Sequence, residues 1–160
     1  MYIAGGSTYH PSMTKKPPEP KVRRFSKESL AKAEFDDVDL SKARLHNVDL
    51  KGAELDDADM SKGRVHNVSF KGAELDDASL EDARIHNVSF KGAELDDVTF
   101  EGASIKNADL SRSRWSDINL SGARIDDVNL SGVELTDCKI EGLTINGVRI
   151  DTLFAEKKKP

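Results

Sequence analysis

The segment Lys51–Asp77 reads KGAELDDADMSKGRVHNVSFKGAELDD, so the heptapeptide that opens it returns twenty residues later to close it. A third copy stands at Lys91–Asp97, and HNV tripeptides at His46–Val48, His66–Val68 and His86–Val88 keep the same spacing of twenty. A repeat this regular sets the architecture before any local propensity counts, because each unit can bury its apolar side only against its neighbours.

A shorter period lies within the longer one. From Phe35 to Ile150, every residue whose number ends in 0 or 5 is large and apolar, from Leu40, Leu45 and Leu50 through Phe90, Phe100 and Trp115 to Leu135, Ile140 and Ile145. Two residues before these stand generally smaller side chains: Ala33, Val38, Ala43, Val48, Ala53, Ala58 and Gly63, continuing to Val133 and Cys138. The positions between are almost all polar. An α-helix would smear a period of five around its whole circumference, and a plain strand needs alternation at two. Five residues are accommodated when three make a short extended side and two make a corner, with the first and third extended residues pointing inward. Four such sides close one coil of twenty, and stacked coils place like residues in columns about 4.8 Å apart.

The tandem pattern, seen in AELDD, ADMSK, ASLED, ADLSR and ARIDD, resembles the pentapeptide-repeat family over roughly Ala33–Asp151. That resemblance implies an all-β fold, a right-handed quadrilateral parallel β-helix of about six coils. Its height at the ladder spacing would be about 29 Å. The expected division is a flexible Gly-, Ser- and Pro-containing leader over 1–24, the β-helix over 25–152, and a cap with a solvated tail over 153–160. Phe25 and Leu30 are expected to close the first coil, with Phe25–Leu30 left open between a helix and a half-coil. Leu153 and Phe154 are expected to plug the last, where the inward position enlarges through Leu143 and Val148; the same residues would suit a weak dimer as well as a lid.

At 160 residues with a net charge of −5 and one third of side chains charged, both signs are abundant and must be sorted in space. There is no basic excess of the kind a nucleic-acid binder needs and no apolar run long enough for a membrane span. The one cysteine excludes an internal disulfide framework and suits a reducing compartment. Met1–Thr14 lacks the charged and apolar pattern of a secretory signal, so the cytoplasm is the expected location.

Numbering modulo twenty sorts the charges by face. The first face carries fifteen acids against Arg114, among them Glu34, Asp36, Glu54, Asp56, Glu74, Asp76, Glu94 and Asp96. The face across the square carries Arg44, Arg64, Arg84, Lys106 and Arg124 with the column His46, His66, His86, against Asp126 and Asp127. Carboxylates one coil apart repel by about 1 kcal/mol even at the dielectric of water. A duplicated surface explains the wall without any role; a docking site for a basic partner, or imitation of a phosphate backbone, explains it with one. A cation ladder fits poorly, since hard cations want converging oxygens. The His column has no converging cysteine or carboxylate, so a solvated column is expected there.

Ser111–Asp117, SRSRWSD, interrupts the wall. Trp115 is expected to point inward, with Arg112 and Arg114 as a candidate binding patch beside it. Cys138 falls on an inward position and should be an inert thiol. The chain carries no nucleophile elbow, phosphate loop, dinucleotide fingerprint or zinc pattern, so we expect no catalysis, no cofactor and no metal. The expected function is that of a rigid interaction rod for a protein partner. The family resemblance implies an alternative, DNA mimicry toward a type II topoisomerase such as DNA gyrase, affecting quinolone sensitivity. The absence of a shaft loop and of a clear helix after Leu153 departs from that pattern. Near-identical repeats also fit consensus engineering, which would leave no biological partner.

Overall fold

The computed structural model describes residues 23–156, and the leader expected over 1–24 therefore lies almost wholly outside the described residues. Within them the chain winds as a parallel β-solenoid of about six coils. One side is built from β1 (Arg24–Ser26), β3 (Arg44–Asp49), β5 (Arg64–Ser69), β7 (Arg84–Ser89), β9 (Ser104–Asp109) and β11 (Arg124–Asn129). The other is built from β2 (Glu34–Asp36), β4 (Glu54–Asp56), β6 (Glu74–Asp76), β8 (Glu94–Asp96), β10 (Arg114–Ser116) and β12 (Glu134–Thr136). Neighbours in each sheet pair twenty residues apart, Leu55 opposite Leu75 and His46 opposite His66. Single bridges such as Asp59 to Ser79 link the coils on the side between.

Each pentapeptide turns at one residue with positive φ, at numbers ending in 2 or 7, and two kinds of corner alternate. At the first kind the N–H of residue i+3 donates to the C=O of residue i, as from Ala53 to Leu50 and from Ala73 to Phe70. The positive φ at i+2 then makes a type II turn, which favours glycine. Gly52, Gly72 and Gly92 meet that demand, while Lys42 and Lys62 adopt it at φ near 57°. At the second kind no such bond closes the corner among the described residues, and the left-handed residue is Asp37, Asp57, Asp77 or Asp97 on one side and Asn47, Asn67, Asn87 or Asn107 on the other. These residue types tolerate that conformation because their short side chains bond locally.

The interior is dry and columnar. Phe70 stacks on Phe90 at 4.9 Å and Phe100 on Trp115 at 5.2 Å between ring centroids. Trp115 is 1 % exposed, so its bulk is accommodated inside its own coil, as its number requires. Among the described residues its indole Nε1 finds no hydrogen-bond partner.

The ends differ from expectation in part. Phe25–Leu30 is half a coil, not a helix: β1 pairs with β3, and Ser29 bridges to Asp49. Phe25, Leu30 and Phe35 are half-buried over the first coil. At the other end Leu135 is 45 % exposed although its number lies on the inward lattice, because among the described residues no further strand of its sheet follows β12 to cover it. The His-bearing sheet is closed by β13 (Thr144–Ile145) and an antiparallel return in β14 (Val148–Arg149). A short helix, α1 (Ile150–Glu156), follows directly, where no clear helix is expected from the sequence. Leu153 lies on it 49 % exposed and does not plug the interior. The side chain of Phe154 and the tail 157–160 lie outside the described residues. Asp151 anchors this end by accepting from the Gly142 N–H at 2.9 Å and pairing with Arg149, which holds its carboxyl well below the usual carboxylate range.

Candidate functional site

The wall follows from strand geometry. In each short strand the middle residue, Leu55, Leu75 or Leu95, is buried, so its two neighbours must face solvent. Glu34, Glu54, Glu74 and Glu94 therefore form one exposed column and Asp36, Asp56, Asp76 and Asp96 a second, all in register. The corner residues Asp57, Asp77 and Asp97 add a third column beside them. The crowding registers on Asp77, whose carboxyl is raised above its ordinary value by lost hydration and by the charges of Asp97, Asp76 and Asp57.

Arg114 occupies the Glu column one coil beyond Glu94 and pairs with it at 2.6 Å. Trp115 between Arg114 and Ser116 is buried, so the structure does not assemble an exposed aromatic flanked by Arg112 and Arg114. Arg112 sits around the corner at a left-handed turn, in the column of Gly52, Gly72 and Gly92 and beside that of Lys51, Lys71 and Lys91. Cys138 is half-buried, and desolvation raises its thiol above the ordinary value, which keeps it protonated and poorly nucleophilic.

The opposite side carries two features of equal regularity. His46, His66 and His86 stack at 5.1 and 5.2 Å, each two residues along from Arg44, Arg64 or Arg84. At the adjoining corner the amides form a ladder: Asn67 donates to Asn47 at 2.9 Å, Asn87 to Asn67, and Asn107 to Asn87 at 3.3 Å. The five-residue period does not announce this ladder. Its signal is the Asn of each HNV tripeptide recurring at a position that must take positive φ. Among the described residues no group of three His, Cys, Asp or Glu converges to hold a metal, and no helix is long and apolar enough to cross a membrane.

A profile of the pentapeptide repeat region matches residues 23–100 and 62–130, and the chain belongs to the pentapeptide repeat family, whose fold is generally structural. No curated protein matches it. Among solved structures it is similar to the pentapeptide repeat protein Rfr23 from the cyanobacterium Cyanothece 51142, at 19% identity and TM-score 0.42 over 78% of this chain and 85% of that one. It is also similar to QnrB1, a plasmid-mediated fluoroquinolone resistance protein, at 16% identity and TM-score 0.36 over 86% and 96% of the two chains. A third is AT2G44920 from the Arabidopsis thaliana thylakoid lumen, at 24% identity and TM-score 0.31 over 68% and 65%.

Proposed function

We propose that this chain is a non-catalytic interaction rod whose acidic wall docks a basic protein partner. One observation carries the reading. Both open corners need a residue that tolerates positive φ, and the fold fills one with Asn, which bonds into a ladder, and the other with Asp, which repels. The amide would satisfy the backbone equally well and relieve the repulsion, so carboxylates at Asp57, Asp77 and Asp97 serve something other than the corner. A steep negative face in water accelerates encounter with a basic surface and favours it over neutral ones.

Parallel affinity captures from a native lysate test this. A partner should be retained by the wild type and by a variant with Arg44, Arg64 and Arg84 changed to Glu. It should be lost when Glu54, Asp56, Glu74 and Asp76 are changed to Lys. If no protein shows that pattern, the reading fails. The in-register carboxylate rows also favour a second reading, imitation of a phosphate backbone toward a type II topoisomerase. Inhibition of gyrase supercoiling at low micromolar protein, abolished by the same four reversals, would select it; no effect at high concentration would remove it.

A further inference from the structure

The Arg/His face opposite the wall is the second strongly charged surface, and its sign pattern can be compared with that of the wall coil by coil. The outward column at the third residue of each strand of that face runs Ser26, His46, His66, His86, Lys106, Asp126: a hydroxyl, three imidazoles and a lysine, then one acid. The outward column at the start of each strand of the wall runs Glu34, Glu54, Glu74, Glu94, Arg114, Glu134: four acids, one base, then a last acid. From Glu34 to Arg114 and from His46 to Asp126 the two columns are complementary: four acids answer three imidazoles and a lysine, and at the fifth step of each one base answers one acid.

We propose that this face docks the acidic wall of a second copy of the chain, in one register. Strands on opposite sides of a coil run in opposite directions. Two rods lying side by side in the same orientation therefore bring the first residue of a wall strand against the third residue of a strand on the Arg/His face. A relative shift of half a coil, about 2.4 Å along the axis, places Glu54 against His66, Glu74 against His86, Glu94 against Lys106 and Arg114 against Asp126. The second pair of columns agrees, with Asp56 facing Arg64 and Asp76 facing Arg84. Any other step along the axis puts Arg114 against a base or Asp126 against an acid. Both surfaces come from one chain with one coil height, so every level matches at once, which a partner without this repeat cannot do.

The strip is about 10 Å wide and 24 Å tall, well below the roughly 800 Å² per partner of a stable interface. The association is accordingly weak and reversible. It is also heterologous, since different patches meet, and it extends as open rows of rods instead of closing into a dimer.

Sedimentation velocity on the full chain tests the proposal. In about 20 mM salt the mean mass should rise with concentration, and about 300 mM salt should weaken the association at least about tenfold. Arg114→Glu and Asp126→Arg should each weaken it by about fivefold, and the two changes together should restore it. Residues 114 and 126 lie on opposite sides of one rod, so rescue by the double change can arise only between molecules. Circular dichroism confirms that each variant keeps its fold. A wild type that stays monomeric to about millimolar concentration, or association that neither single reversal affects, would overturn the proposal. A monomeric protein that still captures a basic partner through its wall would remove this inference and leave the proposed function standing.

Discussion

Lys62 and Gly72 occupy equivalent corners with positive φ, 56° and 61°, and the backbone treats them differently. A left-handed residue with a Cβ costs about 1–2 kcal/mol that glycine avoids, partly offset by glycine's larger freedom when unfolded. We predict that Lys62→Gly stabilises the fold by about 0.5–1 kcal/mol, and that Gly72→Ala destabilises it by about 1 kcal/mol, in urea titrations. Among the described residues no atom outside Gly72 and its chain neighbours lies within 4 Å of a Cβ built there, so the second cost is conformational and not steric. Asp77 offers a pH-resolved case. Its folded carboxyl is raised, so its ionised form opposes folding at neutral pH, and that opposition fades as the pH falls through the raised value toward 3.8. Asp77→Asn should raise the melting temperature at pH 7, and its advantage over the wild type should shrink as melts are repeated toward pH 4. An advantage that is unchanged across that range would refute the electrostatic account. Asp109 and Asp151 act in the other sense: their carboxyls are lowered, so the stability they contribute is present above 3.8 and lost as the pH falls below it.

At the level of the element, β10 shows how much a single strand can carry. Its outward Arg114 pairs with Glu94 and its inward Trp115 packs against Phe90 and Phe100, while among the described residues the indole N–H has no partner. Trp115→Ala should cost about 3–5 kcal/mol through the cavity it opens. Trp115→Phe should cost less than about 1.5 kcal/mol, since removing the orphaned donor offsets part of the lost volume. A loss as large for Phe as for Ala in the same titrations would mean the N–H is bonded. The strands themselves, their register and their inward residues are legible from the five- and twenty-residue periods. The identity of the corners is less so: Asp and Asn at numbers ending in 7 look like generic surface until their backbone is known to be left-handed.

Across the whole molecule, each coil touches only its neighbours, so stability is close to a sum of coil and interface terms. The ends should therefore open first. Amide exchange should be slowest between Leu50 and Leu120, where the inward residues are fully buried, and fastest in β12 through α1, where Leu135 and Val148 are half-exposed. Uniform exchange along the rod would contradict this. Charge is sorted at the same scale, and added salt should raise the melting temperature by screening the wall.

The repeat in the linear chain was enough to specify the solenoid, the dry interior and the sorting of acid from base onto opposite sides. Those properties depend on which positions recur, and a side chain's direction in an extended segment follows from its count. The ends lie beyond such reasoning, because there the periodic code stops and each residue answers to whatever lies next to it. That is why Leu135, on the lattice, faces water, why Leu153 rides on a helix instead of closing the core, and why Phe25–Leu30 joined the first coil. The opposite signs of Arg114 and Asp126 likewise have meaning only once the coil has set them on opposite faces at comparable heights.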